Sequence, residues 1–186
     1  MAETRGYHHG DLRRALLAAA LDAIEEDGQA ALSLRDLARR AGVSHAAPAH
    51  HFGDKAGLLT ALATQGFDLL AQELAAAGSD LLAAGVAYVD FAVRHRAHFE
   101  VMFRPELHRA DDAELIAARE RAGAALRSAV AALPAGGVPA DAGRDALAAW
   151  SIAHGFATLW LAGALPDRVG DNPREAARAV LSRLST

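Results

Sequence analysis

Five of the nine histidines in this 186-residue chain, His8, His9, His45, His50 and His51, fall within its first 51 positions. Near the last three stand Ser33, Arg35, Ser44 and Lys55. Imidazole, hydroxyl, guanidinium and ammonium groups in one short stretch can donate hydrogen bonds to phosphate oxygens and to the edges of bases. The parts needed for bond-making chemistry are missing: there is no cysteine, no Gly-x-Ser-x-Gly turn and no His-Glu-x-x-His pair. A metal site could be assembled on paper from His95, His98, Glu100, His108 and His154. His95 and His98, however, straddle a predicted helix break. The expectation is recognition, with no catalytic residue, no cofactor and no metal.

These residues must be positioned by the elements around them, and the segment Leu32 to Lys55, LSLRDLARRAGVSHAAPAHHFGDK, reads as two short helices joined by a tight turn. Leu34, Leu37, Ala38 and Ala41 recur at spacings of 3 and 4, one helical face. Ser33 precedes that run with Asp36 three residues on, a capping-box-like start. Gly42 can take positive φ and end the helix, and Val43 can fill the space between the pair. Ser44 offers a hydroxyl to cap a second helix that ends by Phe52-Gly53. The pattern is a helix-turn-helix over about 32–51. Such a unit reads duplex DNA with the N-terminal part of its second helix in the major groove. Base edges would then meet His45, Ala46, Ala47, Ala49 and His50. Ser33 and Arg35 would lie along the backbone with the bracing helix, and Ser44, His51 and Lys55 would meet phosphates. Pro48 is expected beyond the first turn, where it removes an N–H and shortens the helix. Sequence readout would rest on His45, His50 and alanine methyls against thymine.

This stretch resembles the N-terminal DNA-binding domain of TetR-type transcriptional regulators. The matching residues are Ala18-Ala19-Ala20-Leu21, Gly28, Leu32-Ser33-Leu34-Arg35-Asp36-Leu37-Ala38, Ala41-Gly42-Val43-Ser44, His51-Phe52-Gly53-Asp54-Lys55 and Leu58-Leu59. One departure stands out: the family usually places a phosphate-binding Tyr two residues before the His-Phe pair, where this chain has Ala49. A second resemblance lies in Trp150-Ser151-Ile152-Ala153-His154-Gly155, with Tyr88-Val89-Asp90-Phe91-Ala92 earlier, and is to a TetR-type subgroup marked by a Trp…His-Gly signature. Trp150 and His154 are four apart and share a helix face, and Gly155 is expected to let another helix approach closely. The resemblance implies an all-α protein with a helix-turn-helix domain over 9–69 and a ligand-binding and dimerisation domain over 70–186. It also implies a two-fold four-helix bundle from the penultimate and last helices, with Trp160, Leu161, Ala177, Val180 and Leu181 at the interface. A symmetric dimer is what an operator of two half-sites requires.

Periodicity agrees with an all-helical chain. Helices are predicted from Asp11 to Gly28, from Asp54 to about Ala77, over about 81–95 and 97–103, then 113–133, 141–163 and 173–184. Pro134 to Pro139 reads as a loop. Aromatics are only 5% of the chain, so their gathering is informative. Tyr88, Phe91, Phe99, Met102, Phe103, Trp150 and His154 are the expected lining of a cavity for a small apolar or aromatic effector. The net charge is −4, and residues 1–60 carry 7 basic against 8 acidic groups, so non-specific DNA affinity should be modest. No window of 18 uncharged apolar residues exists and the first residues lack an apolar core, so neither a membrane span nor a signal peptide is expected. The functional expectation is a cytoplasmic, homodimeric regulator, a repressor of double-stranded operator DNA released by a small molecule. A DNA-bound adaptor answering to a protein partner, or a His-based metal-binding protein, are the alternatives.

Overall fold

The structure, a computed structural model, describes residues 9–131 and 141–184. Among these every regular element is helical, in agreement with the all-α expectation. Residues 1–8, which include His8, and the loop expected at 134–139 lie outside the described residues. The chain forms two compact units. Unit 1 comprises residues up to Ala63 together with Ala97–Asp112, and unit 2 comprises Thr64–Arg96 and the residues from Ala113 onward.

Unit 1 begins with α1, His9–Ala31, which buries Leu16, Leu17, Ala20, Ala23 and Ile24 at helical spacing. Gly28, at φ 76°, breaks its regular course where the sequence places a stop. Helix α2, Leu34–Arg40, is capped as its sequence predicts, Ser33 Oγ accepting from the Asp36 N–H at 3.1 Å. Its Leu37 and Ala38 are fully buried. Helix α3 spans Ala47–Phe52, and α4, Lys55–Ala76, follows after a turn. The Asp54 carboxylate caps α4 by accepting from the Gly57 N–H at 2.8 Å. Helix α5, Leu81–Arg94, intervenes in the chain before α6, Arg96–Met102, and a 3-10 turn at Pro105–Leu107. The stretch 97–112 packs with unit 1: Glu100 accepts from the Gln29 N–H at 3.3 Å, and the Arg109 N–H donates to Thr60 Oγ1 at 2.9 Å.

Unit 2 is built round α5, which packs against α8, Ala142–Leu161, and α9, Pro173–Leu181, with α7, Ala113–Ala131, against α8. Asp80 caps α5 through the Ala83 N–H at 3.0 Å, and Asn172 caps α9 with Pro173 in its first turn. Val86, Val89 and Phe91 are essentially inaccessible on α5. Asp90 is also buried, and it is neutralised from both sides by Arg94 at 2.9 Å and Arg174 at 2.7 Å. Two charge-assisted hydrogen bonds offset the cost of taking that side chain out of water. A Cβ on Gly85 would come within 2.8 Å of Leu181 Cδ1, so α5 and α9 meet closely there. At Gly155, expected to admit a close helix, no described residue outside its own turn of helix comes within 4 Å of the place a Cβ would occupy.

Candidate nucleic-acid interface and ligand cavity

The reading helix starts later than its sequence suggests. Residues 44–47 form a turn, with the Ala47 N–H bonded to the Ser44 carbonyl at 3.0 Å, and the N-cap of α3 is Ala46 with no side-chain bond. Ser44 therefore does not cap α3 through its hydroxyl. The later start also changes the meaning of Pro48, which lies in the first turn of α3, where its missing N–H leaves no helical bond unmade. Pro48 and Phe52, four apart, are both buried and seat α3 on the rest of unit 1. Arg13 of α1 stands over the Phe52 ring at 5.5 Å. His45, Ala46, Ala49 and His50 are left exposed on the outer side, with Ala47 half-buried. The His51 ring is half-buried between those of His50, at 5.7 Å, and Phe52, at 6.2 Å.

The cations of this surface differ in what they are already doing. Arg35 is exposed on α2. Arg40 is engaged by Glu26 at 2.5 Å, Asp36 at 2.7 Å and Asp27 at 3.1 Å, which ties α2 to the acidic end of α1. Hydrogen bonds from Arg39 and Arg40 hold the Asp36 carboxyl below its ordinary value. The Lys55 ammonium donates to the Ala30 carbonyl at 3.0 Å, joining the start of α4 to the end of α1. One residue that the sequence did not single out enters here. The Arg109 guanidinium lies against the turn after α3, 2.9 Å from Asp54 Oδ1 and 3.5 Å from the Phe52 carbonyl oxygen. The only sequence signal was an arginine a few residues after Arg104-Pro105, which carries no spacing to interpret.

In unit 2 a cavity of about 270 Å³ opens between α4, α5, α7, α8 and α9, at the small end of ligand sites. Leu74, Leu82 and Leu126 supply apolar walls, Tyr88 and Trp150 aromatic ones, and Asp145 the one charged side chain. The Tyr88 hydroxyl accepts from Trp150 Nε1 at 3.1 Å and shares a second hydrogen bond, of 2.8 Å, with His154 Nδ1. Burial pushes the Tyr88 phenol up and the His154 imidazole down, so both groups are held in their neutral forms. The Trp…His-Gly signature thus has a physical content: two residues one turn apart on α8 grip one hydroxyl of α5. Of the expected lining, Tyr88 and Trp150 face the cavity. Phe91 is fully buried, His154 stands behind Tyr88, and Phe99, Met102 and Phe103 belong to the 97–112 stretch of unit 1.

The other expected surfaces are placed as follows. On the last two helices Ala177 and Leu181 are buried within the chain, Trp160 and Leu161 are half-buried, and Val180 is exposed. The large apolar side chains left open on α8 are Leu147, Ile152 and Leu159, which the sequence reading did not select, and Trp150, which it assigned to the cavity. Among the described residues no three His, Asp or Glu side chains converge on one point. His95 packs on Phe91 at 5.0 Å, and His108 Nε2 donates to the Val101 carbonyl at 2.7 Å. No helix of the described residues is long and apolar enough to cross a membrane.

Comparison with known proteins agrees with this arrangement. Residues 16–62 match the family model for bacterial regulatory proteins of the tetR family, and residues 81–184 match a tetracyclin repressor-like C-terminal domain. A protein of unknown function from Rhodococcus sp. RHA1 shares 38% identity over 97% of both chains, with a TM-score of 0.80. A tetR-family regulatory protein from Rhodococcus RHA1 superposes with a TM-score of 0.69 at 22% identity, over 94% of each chain. The TetR-family regulator PfmR from Thermus thermophilus gives 0.67 at 24%, over 91% of this chain and 96% of its own. No curated protein matches the sequence. With both of its parts matched and the helix-turn-helix in place, the chain belongs to the TetR family of DNA-binding transcriptional regulators.

Proposed function

We propose that this regulator is a cytoplasmic homodimeric repressor that leaves its operator when a small apolar or aromatic molecule occupies the cavity of unit 2. The observation that carries the DNA half is the outer side of α3. His45, Ala46, Ala49 and His50 are exposed there, while Pro48 and Phe52 fix the helix from below. Two imidazoles and the alanine methyls form a short reading surface, suited to a few polar base edges and thymine methyls. The effector half is supported by the apolar and aromatic cavity walls around Tyr88 and Trp150. The dimer is supported by the open apolar strip of Leu147 at 56% exposure, Ile152 at 39% and Leu159 at 47%, with Val180 on α9 at 40%. Gly155 lies on α8 between Ile152 and Leu159 and is not approached by any described residue outside its own turn of helix, leaving room for a partner's helix.

An effector that binds both states equally shifts nothing, so it must prefer the state that does not fit the operator. A coupling of about 1–3 kcal/mol would change operator affinity roughly 5- to 150-fold. The deciding experiment is a gel shift at two salt concentrations with duplex DNA from immediately upstream of the protein's own gene. Saturable binding that survives competitor DNA, with a footprint of two half-sites about 34 Å apart or a multiple of it, is the expected result. Weak binding that disappears with salt at every upstream sequence would refute the repressor reading.

A further inference from the structure

The turn between α3 and α4 is where the orientation of the reading helix is set, and it is gripped from outside its own helix-turn-helix. Gly53, at φ 78°, reverses the chain after Phe52, and its N–H closes α3 on the Ala49 carbonyl at 2.8 Å. Asp54 Oδ1 then serves two donors, the Gly57 N–H at 2.8 Å and the Arg109 guanidinium at 2.9 Å. The same guanidinium nitrogen is 3.5 Å from the Phe52 carbonyl oxygen at the end of α3. Arg109 is itself fixed by its backbone, whose N–H bonds to Thr60 Oγ1 on α4 at 2.9 Å, and Thr60 Oγ1 donates to the Ala56 carbonyl at 2.7 Å.

The space for this side chain is made by glycine. A Cβ on Gly53 would lie 3.0 Å from the Arg109 guanidinium, and one on Gly57 would lie 3.1 Å from its central carbon. The Asp54 carboxyl is held below its ordinary value first by the Gly57 N–H and then by Arg109, so it remains charged for the pair.

We infer that Arg109 is a positioning residue for DNA reading: from outside the helix-turn-helix, it holds the Phe52–Asp54 turn and so sets the angle at which His45, Ala49 and His50 meet the operator. The inference rests on the proposed reading of α3 as the DNA-contacting helix. Arg109 acts through Asp54 and the Phe52 carbonyl, not by touching a phosphate, and the two roles leave different signatures.

The test measures operator and non-specific duplex binding by fluorescence anisotropy, over a salt series, for the full-length protein and for Arg109→Ala, Arg109→Lys, Asp54→Asn and the double variant Arg109→Ala/Asp54→Asn. Asn can still cap α4, so Asp54→Asn removes the charge while keeping the cap. Arg109→Ala should weaken operator binding about five- to tenfold, the modest effect of an exposed ion pair with one carbonyl bond, and leave non-specific binding unchanged. Arg109→Lys should restore part of the loss. The double variant should be no weaker than the weaker single variant, because the two side chains act as one contact. The salt slope should not change. A slope reduced by about one phosphate equivalent in Arg109→Ala would make Arg109 a direct backbone contact and overturn the inference. Unchanged operator affinity, or additive losses in the double variant, would overturn it as well. Should Arg109→Ala fail to fold, Arg109→Lys and Asp54→Asn carry the same comparison. A wild-type protein that binds no upstream DNA specifically would show at the outset that the reading of α3, and this inference with it, is wrong.

Discussion

The turn after α3 and the Tyr88 hydroxyl each bring distant residues together through hydrogen bonds, but they do so in opposite environments. Around the turn the partners are ionised and largely exposed, Arg109 at 45% and Asp54 at 64%. Around Tyr88 they are neutral, and the tyrosine itself is 3% exposed. Solvent screens the first kind of contact, so its worth lies in direction more than in energy. The second kind is costly to leave half-made, because a buried donor or acceptor loses water without gaining a partner. One region aims a surface, and the other fixes the wall of a cavity.

The comparison can be broken most severely at Phe52. Phe52→Ala removes the buried ring that seats α3, and should cost about 3–5 kcal/mol with loss of operator binding, as seen by thermal melting and gel shift. Next comes Gly57→Ala. Alanine normally stabilises a helix interior by about 1 kcal/mol over glycine, yet here its Cβ would lie 2.0 Å from the Phe52 carbonyl oxygen. The expected sign is therefore reversed, a loss of about 1–3 kcal/mol and a melting temperature lower by several degrees. Gly85→Ala in unit 2 sharpens the point, since its 2.8 Å contact is the tip of Leu181, which can rotate away. A larger loss at Gly85 than at Gly57 would contradict this account. Tyr88→Phe comes third, and should cost about 1 kcal/mol by taking the hydroxyl from Trp150 and His154.

The smallest expected effect is on pH dependence, and it separates the two regions. Burial holds the His154 and His95 imidazoles below their ordinary value, so the unfolded chain takes up these protons first as pH falls. Their contribution to stability is complete above about pH 6.5 and is lost as pH falls through the lower folded values. Asp36 and Asp54 in unit 1 are also depressed, but they are carboxylates. Their contribution is complete above about pH 4 and is lost only below that. Thermal melts between pH 7 and pH 5 should therefore show a decline that His154→Gln makes shallower. A decline of equal steepness in the variant would mean that His154 does not contribute to it.

Much of unit 1 was legible because its signals are local. Ser33 three residues before Asp36, Gly28 at a helix end and Asp54 before α4 each act on the next turn of the chain, and each does in the structure what its spacing predicts. Ser44 was misread for the same local reason. A hydroxyl just after a turn is a good cap by residue type, but the chain stays in the turn beyond it, and α3 starts on Ala46 without a cap. Pro48 then moves from a helix breaker to a first-turn residue with no change in its chemistry. The helix at 97–103 was legible, but where the stretch 97–112 packs was not. It leaves one unit and returns to another along the chain, and no periodicity records where a helix packs.

The sequence by itself determined the helical class, the helix-turn-helix, and the pairing of Trp150 with His154 on one face, since helix geometry translates spacings of 3 and 4 directly into neighbours. Only the tertiary structure decided which groups receive them: that Tyr88 is the hydroxyl between Trp150 and His154, that α8 is open along Leu147 and Leu159, and that Arg109 closes on Asp54. The hydrogen bonds among these join residues 55 to 66 positions apart. At such separations the meeting of two side chains is set by how whole helices pack, a property of the fold that no short stretch of sequence carries.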